Sequence, residues 1–114
     1  MNYKEIRPWG QFENLLENTD CKVKQIVIKS GQAPSYQYHF KREEVWIIIK
    51  GTGELKLNDT ITQIKPKDIL HIPVKAKHQI KNTGNEDLIF IEIQLGEYFG
   101  EDDIVRLNDN YGRV

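Results

Sequence analysis

Short strand-like runs, each ended by turn-forming residues, constrain this chain more than any other feature. Residues 22–29 stop at Ser30-Gly31, residues 44–50 at Gly51-Thr52-Gly53, and residues 69–72 at Pro73. Residues 53–57 and 60–64 flank Asn58-Asp59, a pair suited to the tip of a hairpin. Residues 77–81 run into Asn82-Thr83-Gly84-Asn85, and residues 87–95 into Gly96. The runs are rich in β-branched residues, as in Val45, Ile47, Ile48 and Ile49, and no window holds a 3.6-residue period beyond two turns. Short strands at this spacing predict an all-β sandwich or barrel. At 114 residues, residues 1–114 are expected to form one domain. Its strand-forming core covers about residues 22–95, and polar end segments with Trp9, Tyr98, Phe99 and Tyr111 wrap the barrel or meet another subunit.

Charge excludes several functions. Sixteen Lys and Arg against seventeen Asp and Glu leave a net charge of −1, so neither nucleic acid nor an anionic membrane is an expected partner. No apolar run approaches the roughly 18 residues of a spanning helix, and the opening MNYKEIRPWG has no signal core, so a soluble, cytoplasmic protein is expected. The lone Cys21 excludes an internal disulfide and a cysteine-only zinc site; it reads as a small, half-buried residue. Glu101-Asp102-Asp103 reads as a solvated turn or helix start.

The chemistry is concentrated between Gly31 and Gly51. Alternation along an extended segment places Ser35, Gln37 and His39 on one side, and Glu44, Trp46 and Ile48 on one side of the next strand. A four-residue turn between His39 and Glu44 lets Gln37, His39 and Glu44 converge, and His78 shares a face with Ile80 further on. Two imidazoles, a carboxylate and an amide oxygen suit a divalent first-row metal with positions left open. The same four residues would equally serve as hydrogen-bonded polar groups inside a barrel.

Order and punctuation favour the metal. Gln37-x-His39, Glu44 and Gly51, followed by Pro73-x-x-x-x-His78 and Asn82, resemble the paired motifs of the cupin superfamily, with Gln37 where many cupins keep a first histidine. Over the whole chain, Arg7-Pro8-Trp9-Gly10, Arg42-x-Glu44-x-Trp46, Gly51-Thr52, Ile72-Pro73, Lys77-His78, Ile91-Glu92, Glu101-Asp102-Asp103-Ile104-Val105-Arg106 and Asp109-x-Tyr111-Gly112-Arg113 are similar to one domain. It is the C-terminal cupin of the type II phosphomannose isomerase/mannose-1-phosphate guanylyltransferase family.

That resemblance implies a double-stranded β-helix (jelly-roll) barrel and a divalent metal on Gln37, His39, Glu44 and His78. Zinc comes first, with Co²⁺, Mn²⁺ or Ni²⁺ as alternatives. It also implies interconversion of mannose 6-phosphate and fructose 6-phosphate, a phosphorylated sugar as the partner molecule, and a homodimer. Glu92, in a mostly apolar strand face, is the candidate base. Arg106 and Lys24 match the family as phosphate donors, with Arg42 and Lys77 as further candidates. Guanylyl transfer is not expected, because no Gly-rich phosphate loop precedes the cupin. The chain departs from the family at Phe40, Lys41 and Val45, where relatives keep histidines, and at Lys75 and Gln79. The changes at His39-Phe40-Lys41 and Val45 support a second reading, a non-catalytic sugar-binding or accessory cupin. A third is a different sugar-modifying cupin, such as a nucleotide-sugar isomerase or epimerase; those epimerases work without metal through a His–Asp pair, whereas this chain keeps a full ligand set. His71 reads as structural and Trp46 as barrel core.

Overall fold

A computed structural model describes residues 3–112. Eleven strands form in chain order: β1 (Lys4–Arg7), β2 (Gly10–Glu17), β3 (Cys21–Ile28), β4 (Tyr36–Tyr38), β5 (Arg42–Lys50), β6 (Gly53–Leu57), β7 (Thr60–Ile64), β8 (Ile69–Ile72), β9 (His78–Asn82), β10 (Leu88–Gly96) and β11 (Val105–Asn108). No helix occurs among the described residues, and so none is long and apolar enough to cross a membrane. Two antiparallel sheets result, one ordered β1-β2-β3-β10-β5-β8 and the other β11-β4-β9-β6-β7. Their inner faces share a core in which Ile26, Trp46, Ile48 and Phe90 of the first sheet pack with Leu55, Ile64 and Ile80 of the second.

The periodic runs became strands within a residue or two of their expected limits. The Asn58-Asp59 tip has φ of 46° and 71°, the left-handed geometry of a two-residue hairpin turn. Four strands lie where no period was evident. β4 has only three residues, β1 and β11 are sheet edges with mixed polarity, and a bulge between Asn14 and Leu16 breaks the alternation of β2.

The end segments are thus ordered by strand pairing within the chain, which removes the argument that their aromatics need a second subunit. Trp9 and Phe12 enter the core, and the Tyr111 hydroxyl donates to Gln32 Oε1 at 2.5 Å. Gly10, in the Arg7–Gly10 turn, is required by space: a Cβ there would stand 2.0 Å from the carbonyl oxygen of Val27. Arg113 lies outside the described residues.

Candidate metal centre and anion pocket

The inner face of the six-stranded sheet changes character along its strands. Toward one end it is apolar, with Ile28, Ile48 and Leu88 almost fully buried; toward the other it carries Lys22, Lys24, Arg42, Glu44, Glu92 and Gln94, all buried as well. Cross-strand register sets Glu92 between Lys24 and Trp46, and Gln94 between Lys22 and Glu44. Buried charge is tolerated only when paired, and here it is paired. Glu44, 1% exposed, accepts from Arg42 Nε at 2.9 Å and from the Trp46 indole N–H at 2.8 Å.

His39, Glu44 and His78 converge, with one ligand atom from each lying within 4.8 Å of the others. The two imidazole rings are 5.1 Å apart. Each is held from behind: His39 Nδ1 donates to the carbonyl of Asp103 at 2.6 Å, and His78 Nδ1 to the carbonyl of Ala76 at 2.9 Å. A carbonyl only accepts, so both rings carry their proton on Nδ1 and keep a lone pair on Nε2. Burial, helped by the charges of Arg42 and His78, lowers the His39 pKa to about 4, and burial likewise holds His78 below its ordinary value. Two neutral imidazoles and a carboxylate are the donor set that a first-row divalent ion takes, and these residues fit one.

The centre lies in the wall of a cavity of about 100 Å³, room for several waters or one small ligand group. Gln37 lines it from β4, half-buried, opposite both His78 and Arg106 in register, so all three share a face. Arg7, Lys24, Arg42 and Arg106 face Glu44, Glu92 and Glu101 around the cavity. Burial, reinforced by the charge of Glu44, raises the Glu92 pKa to about 7, and Gln94 donates to its Oε2 at 2.7 Å. Lys24 is buried over the Phe12 ring at 4.2 Å and is already paired with Glu101. Arg42 Nη2 lies 3.3 Å from His39 Nε2, while Nη1 is buried with no hydrogen-bond partner.

Lys77 does not join the group. Alternation turns it outward from His78, it is exposed, and it does not line the cavity. His71 is also exposed, 2.5 Å from Glu43. The departures at Phe40, Lys41 and Val45 lie outside the cavity lining: Phe40 is 49% exposed against Tyr38, Lys41 sits 5.0 Å over the Tyr98 ring, and Val45 points away from Glu44. Asn82 braces a turn through bonds to the carbonyls of Ile28 and Glu86.

One contributor had no sequence signal. Asp103 belongs to an acidic run expected to be solvated, yet it is 8% exposed and its carboxylate accepts from the N–H groups of Phe40 and Lys41. It clamps the turn between His39 and Glu44 while its carbonyl orients His39. Because the carbonyl rather than the carboxylate meets the ring, His39 and Asp103 do not form the His–Asp pair of a metal-free epimerase.

Two antiparallel sheets enclosing such a centre define a cupin, a double-stranded β-helix barrel. A solved cupin domain of Cnp3 from Schizosaccharomyces pombe superposes with a TM-score of 0.73 at 17% identity, covering 75% of this chain and 64% of that one. Within that class the chain belongs to the family described as mannose-6-phosphate isomerase C-terminal, which it matches over residues 1–109. It is 40% identical over 111 residues to the xanthan biosynthesis protein XanB of Xanthomonas campestris pv. campestris, covering 97% of this chain and 24% of XanB. It is 38% identical over 114 residues to a mannose-1-phosphate guanylyltransferase of Salmonella montevideo, covering 99% and 24%. The chain thus spans about a quarter of the length of these curated relatives.

These names correct the expected activity. The relatives from Salmonella montevideo and Salmonella typhimurium are named mannose-1-phosphate guanylyltransferases, and others are named for xanthan or alginate biosynthesis. Interconversion of mannose 6-phosphate and fructose 6-phosphate is therefore not assigned to this chain. The catalytic roles expected of Glu92 and Arg106 in that reaction fall with it; both remain as groups on the cavity wall.

Proposed function

We propose that this cupin is a metal-dependent binding module for a phosphorylated mannose, serving the supply of GDP-mannose beside guanylyl transfer. One observation carries the reading: the Arg42 guanidinium, buried beside His39 and Glu44 at the cavity wall, keeps Nη1 without an acceptor. A buried donor left open costs about 1–3 kcal/mol, which a ligand oxygen would recover.

Gln37, His39, Glu44 and His78 would hold the metal, zinc first on this donor set. When bound, the ion supplies a positive anchor for sugar oxygens. Arg42 and Arg106 orient the phosphate by charge-assisted bonds, and Lys24 adds charge from behind Glu101. Four cations line the cavity against three carboxylates, and Glu92 holds its proton up to about pH 7, which favours an anion.

Calorimetric titration of the zinc-loaded protein with mannose 1-phosphate, mannose 6-phosphate and free mannose tests this. The phosphorylated sugars should bind at least about tenfold more tightly than mannose, and Arg106→Ala should remove most of that difference without changing metal content. Equal affinity for all three sugars would overturn the reading.

A further inference from the structure

Two lysines occupy inward positions of β3 where apolar side chains would pack. Lys22 and Lys24 alternate with outward residues along the strand and are 6% and 4% exposed. Their carboxylate partners are half in water. Glu101, with a side chain 48% exposed, pairs with Lys24 and lies 3.9 Å from Lys22; Glu17, 57% exposed, lies 3.7 Å from Lys22. Glu101 belongs to no strand. It sits in the segment between β10 and β11, which is tied at both ends to the turn after His39. The Glu97 N–H donates to the carbonyl of Lys41 at 3.2 Å, and the Asp103 carboxylate accepts from the N–H groups of Phe40 and Lys41. Between those ties the segment separates two spaces. On one side is the cavity of about 100 Å³, lined by Lys24 and Glu101; on the other is a hollow of about 430 Å³, lined by Lys22 and Gly100. Sites that enclose a small organic ligand run to roughly 300–1,000 Å³, so a phosphorylated hexose enters the first space only if part of its wall gives way.

We propose that Glu101 is an internal competitor for the ligand's anion: its carboxylate holds the subsite at Lys22 and Lys24, and yields it to a phosphate dianion but not to a carboxylate. The inference rests on the phosphosugar reading above and adds a specificity-determining residue to it. Charge decides the exchange. A phosphate monoester brings a charge of about −1.5 to −2 and three acceptor oxygens, where Glu101 brings a single charge and two oxygens. A ligand carboxylate offers the buried ammonium groups nothing that Glu101 does not already supply, and it loses its own freedom of motion on binding. Once displaced, the Glu101 side chain turns fully to water, and the two spaces join along Lys22 and Lys24. Arg42 and Arg106 still face the phosphate from the cavity wall. Only β10 separates β3 from β5, a gap of about 10 Å at a strand spacing of ~4.8 Å. A hexose with its phosphate on the lysines of β3 bridges that gap and directs its hydroxyls toward Glu44.

The test is calorimetric titration of the zinc-loaded wild type, Glu101→Gln and Glu101→Asp with inorganic phosphate, mannose 6-phosphate and a hexuronic acid, with metal content and thermal melting as controls for folding. Glu101→Gln should bind phosphate and mannose 6-phosphate at least about tenfold more tightly than wild type, and should gain at least as much for the hexuronate. Glu101→Asp keeps the charge but draws it back by one methylene, so it should gain less; it decides the question if Glu101→Gln does not fold. Variants that bind phosphate no more tightly than wild type overturn the proposal, because Glu101 is then only a structural partner of the lysines. That failure is distinct from failure of the phosphosugar reading. A wild type that prefers mannose phosphates to mannose, with variants that gain nothing, keeps the reading and removes the competitor. Variants that gain phosphate affinity in a protein with no preference for phosphorylated mannose keep the competitor and remove the reading.

Discussion

The strands β3, β10 and β5 present two faces that differ in an unusual sense: charge is buried on the inner one, and half-buried aliphatic residues line the outer one. On β5, Arg42, Glu44 and Trp46 point into the barrel and Glu43, Val45 and Ile47 away from it. Packing alone would favour the opposite arrangement, since a buried ion pair is often no more stabilising than apolar residues of the same volume. The inner charges stand where a metal and an anion could use them. On the proposed reading only the inner face holds ligands, and substitutions on the outer face should leave that function intact.

The sharpest test of that separation uses neighbouring residues. Glu44→Ala leaves the Arg42 guanidinium and the Trp46 N–H buried without their acceptor. It should cost about 3–5 kcal/mol in urea unfolding. Val45→Thr, one residue along on the outer face, should cost about 1 kcal/mol or less. Similar losses at the two positions would break the comparison.

A smaller effect comes from pH. The Glu92 pKa rises to about 7 in the folded chain from an ordinary 4.5, so between these values the folded state binds more protons than the unfolded state. Stability contributed by this group is complete below about pH 4.5 and is lost as pH rises to about 7. Metal-free wild type should therefore lose on the order of 2 kcal/mol relative to Glu92→Gln across that window, as urea midpoints at several pH values would show. Parallel profiles would mean that Glu92 is not held protonated by its surroundings.

Much of this was legible in the sequence because strand alternation is a local rule. It placed Glu44 with Trp46, His39 with Gln37, and most of the core runs. The same rule puts Val45 on the face away from Glu44, so the histidine missing there bears on the outer face and not on the cavity. What was not legible depends on contacts far apart in sequence. Asp103 reaches the turn at Phe40 and Lys41 from more than sixty residues away, and nothing in an acidic run signals that one member is a clamp. The Trp46 indole reads as core, which it is, but its bond to Glu44 appears only once the ring is placed. The outer face is hidden for another reason: in Glu44–Lys50 both faces are hydrophobic over much of the run, so it reads as a buried strand.

The most direct test of the account is the metal content of this protein purified without chelator, measured alongside His39→Ala and His78→Ala. The inner face as described predicts about one divalent ion per wild-type chain, and at least about a tenfold loss of metal affinity in each variant, while the mass in solution stays that of wild type. A wild type that never takes up a divalent ion, or variants that hold it as tightly as wild type, would contradict it.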